Sequence, residues 1–199
     1  MKTCIALLRG INVVGNRKLP MKDLVVLLQR AGFDSVRTYI QSGNVVFRDA
    51  KGASQALSIR IAHLVQKRFG FQPHVMVLSD RELANAIRGN PFPKATDDPK
   101  SLHLFFLAEL PAAPDLKSLA DLRAGGEAFA LKGEVFYLHT PAGFALSKLR
   151  DKVERYLGVH ATARNWRTVN KLLEMARGGS ANHGYCAVTR GRAVADRTG

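Results

Sequence analysis

The spacing of apolar residues changes several times near the start of the chain, and each change predicts a new element. The apolar run from Thr3 to Leu8 predicts a buried strand. Pro20 then opens a stretch with apolar residues at helical spacing, which predicts a helix that ends at Gly32. The runs Val36 to Ile40 and Asn44 to Phe47 are rich in β-branched and aromatic residues, and together they predict a hairpin.

The patterns that follow add a second helix and a fourth strand. Ser54 predicts the N-cap of a helix that ends at Gly70, and the run from His74 to Leu78 predicts a strand. Ser79 and Glu82 have the spacing of a capping box, which predicts one more helix. The first part of the chain therefore has the order βαββαβ, followed by an extra helix.

The same order returns in the second part of the chain with different residues. The predicted strands and helices are, in chain order, Leu102 to Leu107, Asp115 to Leu122, Ala128 to Leu131, Val135 to His139, a helix with Leu146, Leu149, Val153, Tyr156 and Leu157 on its buried face, Val159 to Ala163, and Trp166 to Ala176. Trp166 is expected to pack in the core. The repeated order predicts an internal duplication and an α+β fold.

Composition changes divide the chain into four parts. We expect residues 1–90 to form the first half with its helix, and residues 91–100, rich in Pro and Asp, to form a linker. Residues 101–177 are expected to form the second half with the C-terminal helix. Residues 178–199 have no periodicity and predict a loose, basic tail.

Charge adds a first indication of function. The chain has 30 Lys and Arg against 16 Asp and Glu, a net charge of +14. Residues 1–50 carry 8 basic and 3 acidic side chains and residues 148–199 carry 11 and 4, so both ends are basic. Such a potential favours anionic partners, although a basic surface also serves solubility alone.

The remaining composition predicts a cytoplasmic protein. The two cysteines, Cys4 and Cys186, form neither a disulfide framework nor a metal-binding spacing. Arg9, Gly10 and Asn12 interrupt the N-terminal apolar stretch before it reaches the length of a signal peptide. No other segment approaches the length and hydrophobicity of a membrane span, so no membrane association is expected.

Three short blocks resemble a known family. Residues 9–21 read RGINVVGNRKLPM, residues 39–47 read YIQSGNVVF, and residues 162–169 read TARNWRTV. In this order they resemble the family called domain of unknown function 1697 (DUF 1697), over roughly Thr3 to Arg177. The resemblance implies a bacterial protein with two tandem ferredoxin-like halves and assigns no catalytic residues. Val14 departs from the family, whose members usually have a second glycine before Gly15.

Two of these blocks are expected to meet in space. In a βαββαβ unit the first two strands are parallel, so the loop after the first strand and the hairpin after the second emerge at one edge. Candidate ligand-binding residues at this edge are Arg9, Asn12, Gly15, Arg17, Lys18, Gln41, Ser42 and Asn44. Their cations and backbone amides suit phosphate or carboxylate. Alternatively, the glycines serve only to turn the loop and the hairpin.

The last block adds further candidates, Arg164, Asn165 and Arg167. Arg164, Arg167 and Lys171 are spaced to form a basic stripe on the final helix, which is either a phosphate-binding face or a solvated one.

The first hypothesis for function is an anionic ligand, nucleic acid or another polyanion, bound without catalysis. Strand Thr3 to Leu8 has no aromatic residue to stack on a base, so contacts would go to the nucleic-acid backbone. The alternatives are an enzyme or sensor for a small phosphorylated or carboxylated metabolite, and a protein-interaction adaptor. The histidines have no metal-binding spacing, and Ser42 has no evident base, so no metal, cofactor or catalytic residue is assigned.

Overall fold

The computed structural model describes residues 1–12, 17–49 and 52–178. The predicted tail therefore lies outside the described residues, apart from Gly178, as do Val14, Gly15 and Cys186. The described residues form two four-stranded antiparallel sheets with six helices, as expected for two tandem ferredoxin-like halves. None of the helices in these ranges is long and apolar enough to cross a bilayer.

The first half follows the predicted order. Its elements are β1 (Lys2–Arg9), α1 (Met21–Arg30), β2 (Asp34–Tyr39), β3 (Asn44–Asp49), α2 (Ser54–Phe69), β4 (His74–Ser79) and the extra helix α3 (Asp80–Arg88). The strands lie in the order β2-β3-β1-β4, so β1 is central and pairs with both β3 and β4. Arg9, at the end of β1, lies opposite His74, at the start of β4.

The second half has the same topology. Its elements are β5 (Leu102–Leu107), α4 (Leu116–Asp121), β6 (Ala128–Lys132), β7 (Val135–His139), α5 (Val153–Leu157), β8 (Ala161–Asn165) and the extra helix α6 (Trp166–Arg177). The strand order is β6-β7-β5-β8. Short 3₁₀ helices occupy Pro93–Asp97, between the halves, and Phe144–Leu146, before α5.

Both faces of the first sheet are buried. On one face, β1 directs Ala6 and Leu8 toward α1 and α2. On the other face, Ile5 and Leu7 enter a central core that also contains second-half residues such as Leu104. Helices α3 and α6 contribute to this central core, and the outer face of the second sheet packs with α4 and α5. The two halves therefore share one apolar layer, because each sheet would otherwise expose a face of apolar side chains to water.

Several terminal signals are confirmed. Ser79 Oγ accepts a hydrogen bond from the Glu82 amide (3.1 Å), and the Glu82 carboxylate accepts one from the Ser79 amide (2.7 Å). Gly70 closes α2 in the left-handed conformation, with φ of +79°. Trp166 is half-buried and packs against the central core, as expected.

Three local expectations are wrong. Ala53 rather than Ser54 is the N-cap of α2, and no side chain caps that end. Strand β8 begins at Ala161 rather than Val159. The helix expected from Leu146 is reduced to α5, and Leu146 is 76% exposed instead of buried. Ser147 explains part of this change, since its Oγ accepts a hydrogen bond from the Leu149 amide (3.2 Å), a local bond that competes with helical hydrogen bonding.

Candidate ligand-binding edge

The loop after β1 and the hairpin between β2 and β3 meet at one edge of the first sheet. The Leu8 amide donates to the Gly43 carbonyl (2.8 Å), and the Asn12 side-chain amide donates to the Gln41 carbonyl (2.8 Å). We call residues 9–12, 17–20 and 40–44 the loop–hairpin edge. It brings together the described first-half candidates, as the handedness of the crossover predicts.

Asn12 holds the loop in shape. Its side-chain amide also donates to the Leu19 carbonyl (2.9 Å), and its side-chain oxygen accepts from the Leu19 amide (2.8 Å). Its backbone amide donates to the Arg17 carbonyl (3.2 Å). Asn12 has a φ of +53°, which asparagine tolerates better than most residues. All the polar groups of the Asn12 side chain are thus used to close the loop onto the hairpin.

Gly43 allows the hairpin to approach β1. Its φ is +74°, as expected from the hairpin pattern. A Cβ at this position would lie 2.8 Å from both Leu8 Cβ and the Leu8 carbonyl oxygen, closer than such atoms approach in proteins. Ile40, in the same turn, is 54% exposed and has a φ of +50°, a strained conformation for a β-branched residue. The turn is therefore held in place by its neighbours, since Ile40 would favour another conformation.

Arg164 connects the second half to this edge. It lies in β8 and not on α6, so the predicted basic stripe on the final helix is wrong at its first position. Its five guanidinium N–H groups donate to five acceptors: Asn44 Oδ1 (2.6 Å), Thr162 Oγ1 (3.3 Å) and the carbonyls of Ala163 (2.7 Å), Leu8 (2.9 Å) and Ser42 (3.1 Å). All five acceptors are uncharged. Burial, which disfavours the charged form, lowers the pKa of Arg164 to about 10.

Asn44 completes this connection. It is fully buried, and its side-chain amide donates to the Tyr39 carbonyl (3.2 Å) and to Ser42 Oγ (2.9 Å). Because its oxygen accepts from Arg164, Asn44 joins the hairpin to the second half. Ser42 Oγ, which accepts from the Asn44 side-chain amide, has no histidine partner among the described residues.

Arg9 is paired across the halves. Its guanidinium binds the Glu154 carboxylate through both terminal nitrogens, with an Nη2 to Oε2 distance of 2.6 Å. Glu154 also accepts from the Ala161 amide (2.7 Å). Although burial opposes ionisation, these hydrogen bonds and the charge of Arg9 lower the pKa of Glu154. Glu154 could not be predicted from a local sequence pattern, because 145 residues separate it from Arg9.

The remaining candidates divide into exposed and capping residues. Arg17, Lys18, Gln41 and Arg167 are exposed. Within the described ranges, no carboxylate pairs with Arg17 or Lys18. Asn165 caps α6 by accepting from the Thr168 amide (2.9 Å). Gly15 lies outside the described residues.

No metal site is apparent in the part of the chain that the structure describes. No group of three or more His, Cys, Asp or Glu side chains there is arranged to hold an ion. At the loop–hairpin edge, the hydrogen-bonded backbone presents the exposed cations Arg17 and Lys18 to solvent. The guanidinium of Arg164 lies behind the hairpin.

Comparisons with known proteins agree with the fold. A family model described as "Protein of unknown function (DUF1697)" matches residues 1–137. The solved structure of conserved bacterial protein SP0830 from Streptococcus pneumoniae is similar, with a TM-score of 0.70 and 24% identity over 88% of this chain and 99% of that one. At this identity the similarity concerns the fold alone. No curated protein matches the sequence.

Proposed function

The chain belongs to the DUF1697 family of proteins of unknown function, and we propose that it binds the phosphate backbone of nucleic acid at the loop–hairpin edge. The observation that carries this proposal is the pair Arg17 and Lys18. Both are exposed and lack a carboxylate partner among the described residues, yet they extend from a loop that Asn12 holds in place. Fixed, uncompensated cations suit a backbone of repeated phosphates.

The buried guanidinium of Arg164 supports the same proposal. Its hydrogen bonds are all to neutral acceptors, so no acidic side chain cancels its charge directly. A charge that is shielded from water acts over a longer range than an exposed one. Arg164 therefore adds positive potential behind the hairpin without contacting the ligand itself. The net charge of +14 acts in the same direction.

Burial of both sheet faces favours backbone contacts over base contacts. RNA-recognition modules with this topology stack bases on aromatic residues of an open sheet face. Here the corresponding face carries Ile5 and Leu7, which are fully buried in the central core. The first sheet thus offers no platform for bases. We expect binding with little sequence preference and strong dependence on salt.

The test is fluorescence anisotropy with labelled single-stranded and double-stranded oligonucleotides over a series of salt concentrations. The double variant Arg17→Ala with Lys18→Ala is expected to weaken binding and to reduce the slope of log affinity against log salt by about 1.4 to 1.8, because each phosphate contact contributes about 0.7 to 0.9.

A matched control removes two exposed lysines elsewhere, Lys94→Ala with Lys117→Ala. It lowers the net charge equally and should change the slope less. Salt-independent binding, or equal losses in the two double variants, would show that the loop–hairpin edge is not the contact surface.

A further inference from the structure

A small cleft opens between the two halves on the β4 side of β1. Its volume is about 120 Å³. Leu7 and Met76, from β1 and β4, form one apolar wall, while Ala108 and Ala161 line the side contributed by the second half. This is the seam where β1 approaches β8, and ligand sites often occur where two such units meet. None of these residues takes part in the proposed nucleic-acid contact.

The mouth of the cleft carries three side chains whose N–H groups can donate hydrogen bonds to an anion. The rings of His74 and His160 lie with their centroids 5.0 Å apart, and Arg9 lies at the same opening. Each terminal nitrogen of Arg9 donates one hydrogen bond to Glu154, and the Nε–H of Arg9 has no acceptor within the described ranges. His160 Nδ1 lies 3.5 Å from the same Glu154 carboxylate. Glu154 therefore holds Arg9 and His160 beside the cleft.

Thr162 lines the cleft and carries a hydroxyl group as a further hydrogen-bond donor. Its hydroxyl oxygen accepts from Arg164 Nη1 (3.3 Å), and no described residue accepts the hydroxyl proton. Thr162 is a buried residue, with 5% exposure, and lines the cleft. A hydroxyl that accepts from a cation becomes a better donor, because hydrogen bonds in a chain polarise one another. An anion in the cleft would receive this hydrogen bond with little competition from water.

We propose that this cleft binds a small monocarboxylate with a short apolar tail. The carboxylate would accept from Thr162 and from the Arg9 and histidine groups at the mouth, while the tail would pack against Leu7 and Met76. A cleft of about 120 Å³ is well below the size of sites for drug-sized ligands, so the ligand is expected to be small. A nucleic-acid backbone is too large to enter, so this site is distinct from the proposed nucleic-acid contact at Arg17 and Lys18, although Arg9 lies both at the mouth of the cleft and in the loop–hairpin edge.

The test uses butyrate as the probe, followed by NMR of the methionine methyl and histidine ring signals. Butyrate is expected to produce saturable shifts at Met76, His74 and His160. Butyramide, which has the same shape without the charge, is expected to bind at least about tenfold more weakly, since a hydrogen bond to a charged group exceeds one to a neutral group by about that factor.

Two variants locate the site. Ala108→Leu fills the cleft from an exposed position and should abolish the shifts, whereas the matched variant Ala113→Leu, also exposed, should leave them intact. Thr162→Val keeps the shape and removes the hydroxyl, so butyrate affinity should fall by about tenfold. Circular dichroism confirms that each variant is folded.

Other outcomes would overturn the proposal. They are the absence of saturable shifts, equal binding of butyrate and butyramide, or full binding by Ala108→Leu. Saturation of the same signals by inorganic phosphate in preference to butyrate would also overturn it, because the apolar tail would then have no role. Each outcome is independent of oligonucleotide binding, which is tested through Arg17 and Lys18.

Discussion

Arg164 joins the two halves through polar contacts, while the central core joins them through apolar packing. A buried cation is costly unless its hydrogen bonds are satisfied. Here the planar guanidinium fork matches five acceptors that come from both halves, among them the Leu8 and Ser42 carbonyls of the loop–hairpin edge. Lysine has only three donors and cannot reproduce this geometry. The hairpin is therefore positioned by a residue of the opposite half.

We expect Arg164→Lys to lower the free energy of unfolding by about 2 kcal/mol, because at least two buried acceptors lose their donors. It should also speed hydrogen exchange of the Leu8 amide, which donates to Gly43. Denaturant unfolding and hydrogen exchange measure the two effects. Arg167→Lys is the control, since Arg167 is exposed and its replacement should change stability by less than about 0.5 kcal/mol. Wild-type exchange at Leu8 in Arg164→Lys would contradict this role.

His103 makes stability depend on pH. It stacks on Phe144 with ring centroids 3.6 Å apart, is 9% exposed, and its Nδ1 has no partner among the described residues. Burial disfavours the charged imidazolium and lowers the pKa to about 4. Between about pH 4 and 6.5 the unfolded chain thus binds more protons than the folded one, so stability falls as the pH falls through this range.

From pH 7 to pH 5 the contribution of His103 to the free energy of unfolding should drop by about 2 kcal/mol. Denaturant unfolding at a series of pH values measures this loss. In His103→Phe, which keeps the ring and removes the titration, the dependence should be shallower by that amount. Parallel pH profiles for the variant and the wild type would contradict the assignment.

Local sequence patterns predict where most strands and helices of the first half begin and end. Strand β3 begins at Asn44 and strand β4 at His74, as expected, because β-branched runs and turn residues act over a few positions. The capping box at Ser79 is equally local. The pattern was less informative for α5, where Leu149 and Val153 have helical spacing and are buried, but only Val153 lies in a helix. Two buried residues can therefore have helical spacing although only one of them lies in a helix.

At the loop–hairpin edge, only part of the arrangement could be predicted from the sequence. The meeting of loop and hairpin follows from the handedness of the crossover, a general rule of chain topology. The pairing of Arg9 with Glu154 and of Asn44 with Arg164 follows from how the two halves pack, which no local pattern encodes. Six candidates are engaged within the protein: Arg9, Asn12, Ser42, Asn44, Arg164 and Asn165. Arg17, Lys18 and Arg167 are the candidates whose charges face solvent without a described partner.

The central core predicts that the two halves unfold together. It combines Ile5 and Leu7 of the first sheet with Leu104 of the second, all fully buried, and neither half can expose this face to water without a large loss of apolar burial. We expect a single cooperative transition in denaturant. Fluorescence of Trp166, which packs against the central core, should coincide with the loss of protected amides at Val45 in the first half.

Leu104→Ala tests this coupling, because it truncates a buried second-half residue within the shared layer. The expected loss is about 2 to 5 kcal/mol, and it should move both signals by the same amount. Leu138→Ala, in the outer core of the second half, is the matched variant, since it is equally buried but does not touch the first half. In a cooperative molecule it too should shift the first-half signal. A first half that keeps its wild-type unfolding midpoint in Leu138→Ala would instead mean that the halves unfold separately. The contacts of Arg164 and Arg9 would then join two units that are each stable on their own.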